Sequence, residues 1–109
     1  MKWIAKTITI PASTTDYEET IAKNTTAKRW RFRRILIASE STVLSDVGFS
    51  FYIGAEKVFP DEGELRPITK YNPVDVDFVL PGGSELKIKG ANSTASDITI
   101  FFLLGYVEE

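Results

Sequence analysis

Short segments in which apolar and polar side chains alternate dominate this sequence, and turn residues separate them. The alternation is clearest in residues 2–10, 47–53 and 74–80. Successive side chains of a β-strand point to opposite faces, so a period of two predicts strands with one buried face. Seven or eight such segments can be traced, and none has a convincing helical period. They predict an all-β fold, a single antiparallel β-sandwich of seven or eight strands, with a small barrel as the alternative.

The length of 109 residues suits one domain, so residues 1–109 are predicted to form a single unit. We identify no internal repeat and no linker. Residues 11–26 are polar and rich in threonine. They are predicted to form a short edge strand, an extended loop with one helical turn, or an arm that reaches to a neighbouring molecule.

The segment from residue 29 to 38 carries aromatic and basic side chains on alternate positions. Trp30 and Phe32 share one face of the predicted strand, and the alternation then breaks at Arg34. A β-bulge near Arg33 and Arg34 would restore the pattern, because a bulge inserts one extra residue. The alternative is a strand whose second half is buried on both faces.

The last segment, residues 98–106, is apolar on both of its faces. Phe101 and Leu103 lie on the face opposite to Ile100 and Phe102. A strand that is apolar on both sides is typical of one covered on both sides. In a sandwich of this size a second subunit could supply the cover for Phe101 and Leu103, so we predict a homo-oligomer and favour a trimer.

The composition leaves few groups for catalysis. The chain has no histidine and no cysteine, so a Ser-His-Asp triad, thiol chemistry and cysteine-based metal sites are excluded. No motif for a cofactor or metal is found, and we predict a protein that is not an enzyme. No apolar run approaches the length of a membrane span, and the first residues do not resemble a signal peptide. We therefore expect synthesis in a cytoplasm and no partnership with a membrane.

Four arginines form the most unusual local cluster of charge. They are Arg29, Arg31, Arg33 and Arg34. They could follow a nucleic-acid backbone, form a solvated face, or contact carboxylates of a neighbouring subunit such as those in residues 61–64 or 108–109. The net charge of −2 disfavours nucleic acid, so subunit contact or a plain surface is preferred.

Three smaller patterns suggest ligand chemistry or modification. Asp75 and Asp77 share one strand face, which could begin a calcium site, form a glycosidase pair, or simply be solvated. Tyr52 opposes the apolar side of its strand and is a candidate for binding a sugar. Residues 24–26 and 92–94 match the N-glycosylation pattern, which we interpret as coincidence because no secretion signal precedes them.

Residues 78–106 combine a strand, a Pro-Gly-Gly turn, a polar-alternating strand, an asparagine-containing loop and a long apolar strand that ends in Gly-Tyr. This succession resembles the closing strands of small single jelly-roll structural proteins of viruses and phages, either capsid or decoration proteins. The resemblance implies a jelly-roll-like β-sandwich over residues 1–109. It also implies a protein of the virion that clamps a particle surface and carries no catalytic motif. The alternative is a carbohydrate- or receptor-binding module, for example at a fibre tip.

Overall fold

A computed structural model describes residues 1–39, 47–65 and 72–109. Within these ranges the chain forms eight strands and no helix, which confirms the predicted all-β class. The strands are β1 (Lys2–Ile10), β2 (Thr14–Lys23), β3 (Trp30–Ser39), β4 (Val47–Ile53), β5 (Glu56–Phe59), β6 (Asn72–Leu80), β7 (Glu85–Asn92) and β8 (Ile98–Glu108).

The strands form two antiparallel sheets of four, with the orders β1-β8-β3-β6 and β2-β7-β4-β5. We call them sheet A and sheet B. The pairs β1 with β8, β2 with β7, β3 with β6 and β4 with β5 are nested, as in one long hairpin. Rolling that hairpin adds the contacts of β3 with β8 and of β4 with β7. This arrangement confirms a β-sandwich of jelly-roll-like form.

The core lies between the two sheets and is built from inward-facing aromatic and branched aliphatic side chains. Phe102 of sheet A meets Phe49 and Phe51 of sheet B edge to face, with ring centroids 5.5 and 5.8 Å apart. At one end of sheet A the rings of Trp30 and Tyr106 stack at 4.6 Å. Because edge-to-face and offset stacked pairs are the favourable geometries, these rings fix how the sheets meet.

Several predicted strands agree closely with the structure. The bounds predicted for β1 and β4 are the ones observed. Residues 14–23 form β2, an edge strand paired with β7, so the strand is the form that this segment takes rather than a loop or an arm. The sequence also predicts a short edge strand over residues 65–71, interrupted by Pro67. Of this segment only Leu65 lies within the described residues, and it forms an isolated bridge with Phe49.

The irregularity predicted in β3 is present where the alternation breaks. The register shifts between Phe32 and Arg34 against both neighbouring strands. Arg33 and Arg34 are therefore both exposed, and Ile35 returns to the core. The bulge thus lets two consecutive arginines face solvent without moving the apolar side chains that follow.

Two of the connections from sheet B to sheet A, β2 to β3 and β7 to β8, share one hydrogen-bonded design. The Asn24 side-chain amide donates to the carbonyls of Lys28 and Leu80, and the Asn92 amide donates to those of Ser96 and Ile10. In each connection the threonine two positions later donates from its backbone N–H and its hydroxyl to the asparagine Oδ1. We call these two connections the Asn-x-Thr corners.

These corners are part of an internal repeat that links the two ends of the chain. Leu80 and Ile10, the acceptors of the asparagine amides, each precede a proline. Two residues after each proline the backbone has a positive φ, 54° at Ser13 and 82° at Gly83. The strand-turn-strand-corner succession of β1 to β3 thus recurs in β6 to β8, which the sequence analysis did not find.

Candidate functional site

The outer face of sheet A is apolar at its centre. On β8, residues Ile100, Phe102 and Leu104 are buried in the core, so Phe101 and Leu103 point away from it and are half-buried by their strand neighbours. In the register of the sheet, Leu103 lies between Ala5 of β1 and Leu36 of β3. No described part of the chain packs over Phe101 and Leu103. We call this surface the sheet A face.

Trp3 extends the sheet A face in a way the sequence did not reveal. It lies opposite Gly105, and a Cβ on Gly105 would come within 2.9 Å of the indole ring. The ring therefore lies against the bare backbone of β8, with 49% of the residue exposed. Adjacent Met1 is 63% exposed, so the two largest exposed apolar side chains in the described residues belong to this one face.

Charged residues of both signs border the sheet A face. Arg31 donates from Nη1 to Asp77 at 2.8 Å and from Nε to Glu109 at 2.6 Å. Arg34 reaches Asp75 Oδ1 from Nη2 at 3.0 Å. The hydrogen bond from Arg31 lowers the pKa of Asp77, and the hydrogen bonds to Asp77 and Glu109 raise the pKa of Arg31. Arg31 and Arg34 thus have partners within their own chain.

The remaining predicted arginines, Arg29 and Arg33, have no carboxylate within 4 Å in the described residues. The acidic residues of positions 61–64 pair with none of the four arginines there either. Glu108 instead binds Lys2 and Lys28, and the hydrogen bond from Lys2 is the main cause of its lowered pKa. Among the carboxylates proposed as partners for the arginines, only Glu109 is bound to one, and the bond is intramolecular.

Other ligand chemistry suggested by the sequence has a different placement. Asp75 and Asp77 are each bound to an arginine, and within the described ranges no group of three or more side chains is arranged to hold a metal ion. Asn24 and Asn92 are fully buried. Each donates from its side-chain amide to two backbone carbonyls and accepts a hydrogen bond at Oδ1 inside the fold. The folded chain therefore offers neither asparagine to a glycosylating enzyme.

The outer face of sheet B carries a second candidate site, an open groove of about 440 Å³. Tyr52, the sugar-binding candidate, lines it together with ten other residues. The floor of this groove lies close to the backbone because the outward residues of the neighbouring strands β4 and β7 are small there. They are Gly48, Ser50 and Ala91. The small outward residues at positions 48 and 50 are the sequence signal from which this groove could have been predicted. We call this depression the sheet B groove.

Comparisons with protein-family models and with curated proteins identify no relative of this chain. No protein-family model matches it, and no curated protein matches it. Within the described residues, no helix is long and apolar enough to cross a membrane. Function must therefore be inferred from the two outer faces of the sandwich.

Proposed function

We propose that this protein is a non-enzymatic structural subunit that assembles through the sheet A face. The observation that carries the proposal is the uncovered apolar centre formed by Phe101 and Leu103, continued by the exposed ring of Trp3. A contiguous apolar patch on the outside of a small domain normally marks an interface, because leaving it in water is unfavourable.

The occupant that fits this face best is a second copy of the same chain. The apolar centre is bordered by arginines of β3 and aspartates of β6, so the border carries both signs and can complement itself. Four strands about 4.8 Å apart and about nine residues long cover roughly 600 Å². This is comparable to the roughly 800 Å² per partner of a stable interface.

The symmetry of the assembly depends on what the face meets. Two like faces packed together give a two-fold dimer, whereas the trimer expected from the sequence needs the face to meet a different surface of its neighbour. The resemblance of residues 78–106 to small jelly-roll virus structural proteins supports a setting in a viral or phage particle. Many weak contacts to a particle surface would then add avidity and resist its expansion.

The test is the mass in solution, measured by light scattering on a sizing column from micromolar to millimolar concentration. We expect a multiple of the 12.2 kDa chain mass. Replacing Phe101→Asp and Leu103→Asp together places two charges in the apolar centre, and we expect a folded monomer. The variant must keep the β-type circular dichroism of the wild type for its mass to count.

A matched control adds the same two charges elsewhere. Thr20→Asp and Thr25→Asp alter threonines of β2 and the corner that follows it, away from the sheet A face. This control should keep the mass of the wild type. A wild-type chain that stays monomeric at every concentration, or a Phe101 and Leu103 variant with unchanged mass, would contradict assembly through this face.

A further inference from the structure

The sheet B groove has the dimensions and the lining of a binding site for a small polar molecule. Its volume of about 440 Å³ lies in the range of ligand pockets. The floor of small side chains crosses β7 and β4, and the walls come from Tyr52, Lys89 and Glu64. The Glu64 carboxylate lies directly over Gly48, where a Cβ would approach it to 3.0 Å. A larger residue at position 48 would therefore displace this carboxylate.

The floor of the groove includes a polar group with an unused hydrogen-bonding capacity. The Ser50 residue is only 4% exposed and lines the groove, and no hydrogen bond joins its hydroxyl to another described residue. Among the described residues the buried side-chain polar atom without a partner is Trp30 Nε1 in the core, so the Ser50 hydroxyl reaches the solvent of the groove. Since Ser50 lines the groove, a bound molecule can hydrogen-bond to this hydroxyl in place of water.

Some charged side chains that line the groove already have a hydrogen-bond or ion-pair partner, and others do not. Lys57 donates to the Gly63 carbonyl at 2.6 Å, and Glu18 is paired with Lys87 at 3.2 Å. Asp16 and Glu64 have no ion-pair partner within the described ranges. The groups left for a ligand are two carboxylates and the hydroxyls of Thr15, Ser50 and Tyr52, against one lysine without a hydrogen-bond or ion-pair partner there, Lys89. Acceptors therefore predominate, which favours a molecule rich in O–H donors over an anion.

Tyr52 adds an aromatic surface beside these acceptors. Lys89 Nζ lies over its ring at 4.7 Å from the centroid, which orients the ring in the groove. A pyranose ring presents C–H groups on its face and hydroxyls around its edge. It can therefore stack on the tyrosine while its hydroxyls donate to Glu64 and Asp16. The flexible Lys89 side chain can move from the ring and donate to a sugar oxygen.

We propose that the sheet B groove binds a neutral oligosaccharide, with Tyr52 as the stacking platform and Ser50, Glu64 and Asp16 as hydrogen-bonding residues. This inference does not rest on the proposed assembly, since sheet A and sheet B present opposite outer surfaces of the sandwich. A subunit held through the sheet A face would still expose the groove to solvent.

The experiment is a nuclear magnetic resonance titration of the ¹⁵N-labelled full chain with neutral hexaoses of glucose, mannose, galactose and N-acetylglucosamine, each to 10 mM. Sialyllactose serves as the acidic probe. We expect at least one neutral hexaose to shift the amide signals of Ser50, Tyr52 and Ala91. Tyr52→Phe, which keeps the ring, should change the Kd by less than about threefold. Tyr52→Ala should weaken binding at least tenfold.

Two further substitutions separate the groove from its surroundings. Glu64→Gln keeps the shape of the side chain but weakens the acceptor, and it should weaken binding several-fold. Lys23→Ala lies at the end of β2, outside the groove, and should leave the Kd unchanged. No shift with any neutral hexaose, shifts confined to sheet A, or binding of sialyllactose alone would overturn the proposal. None of these results depends on the oligomeric state, so they leave the assembly hypothesis standing.

Discussion

Tyr17 of β2 holds its phenolic proton more tightly than a tyrosine in water does. Burial is the main cause, followed by the negative charge of Glu19 and a hydrogen bond to it, and together they raise the pKa of Tyr17 from 10.0 to about 12. Between these two values the unfolded chain releases the proton while the folded chain keeps it. The free energy of unfolding must therefore fall as the pH rises from 10 to 12.

This prediction can be measured by titrating the absorbance of tyrosinate at 295 nm. The difference between the wild type and Tyr17→Phe should have a midpoint near pH 12. In urea unfolding experiments the wild type should lose more stability than Tyr17→Phe between pH 10 and 12. Glu19→Gln should lower the midpoint but leave it above 10, because burial is the larger cause. A difference curve centred at pH 10 would contradict the assignment.

At the scale of elements, the Asn-x-Thr corners join β2 to β3 and β7 to β8. Each asparagine is fully buried and donates to two backbone carbonyls, one at the end of a strand and one within the corner. Removing such a side chain leaves several buried backbone groups unpaired, each at a cost of about 1–3 kcal/mol. The corners thus hold the crossing points between the sheets, where a jelly roll has no ladder of backbone hydrogen bonds to do so.

We expect Asn24→Ala and Asn92→Ala each to lower the free energy of unfolding by at least about 2 kcal/mol. Thr25→Ala, at the exposed middle position of the first corner, should change it by less than about 0.5 kcal/mol. Urea denaturation at neutral pH is the measurement. Similar small effects at all three positions would show that the corners do not stabilise the crossings.

The elements that the sequence predicted well are those in which alternation is carried by large apolar side chains. Ile8 and Ile10 in β1, or Phe49 and Phe51 in β4, leave no doubt about the buried face. β2 was harder because an edge strand with one solvated face carries mostly polar side chains. The sequence predicts a polar loop from Gly90 to Asp97, although β7 extends to Asn92. There, however, the tertiary hydrogen bonds of Asn92 hold the strand.

The internal repeat escaped detection for a related reason. Its two copies share little beyond a proline and an Asn-x-Thr sequence, and these are 13 residues apart in the first copy (Pro11 to Asn24) and 11 in the second (Pro81 to Asn92). The equivalence lies in hydrogen bonds that connect one copy to the other. Such bonds join residues 56 and 82 positions apart, a separation that no local pattern records.

At the scale of the whole molecule, the candidate sites contain residues that the sequence alone could predict and residues that only the strand topology brings together. Phe101 and Leu103 could be predicted as outward apolar residues because the period of β8 alone places them. Trp3 could not be assigned to the same face, since its position depends on pairing of the first strand with the last. The sheet B groove likewise needs β2, β4, β7 and the residues after β5 to be brought together. The position of Trp3 and the lining of the groove therefore depend on the strand topology, which local periodicity does not determine.

Trp3 also offers a test of which surface is buried when copies assemble. Trp30 is in the core and stacked on Tyr106, so its emission should not respond to assembly, whereas Trp3 is half exposed on the sheet A face. As the concentration rises through the assembly range, the emission of Trp3 should shift to shorter wavelength and its quenching by acrylamide should decrease. Both follow from transfer of the indole out of water.

The signal of Trp3 is obtained by subtracting the spectrum of Trp3→Phe, which should itself be independent of concentration. The variant with Phe101→Asp and Leu103→Asp should show an exposed Trp3 at every concentration. An oligomer in which Trp3 stays fully accessible to acrylamide would place the contact on another surface. Because mass action makes the assembled state more stable at higher concentration, the wild-type Tm should rise over the same range in which Trp3 becomes protected.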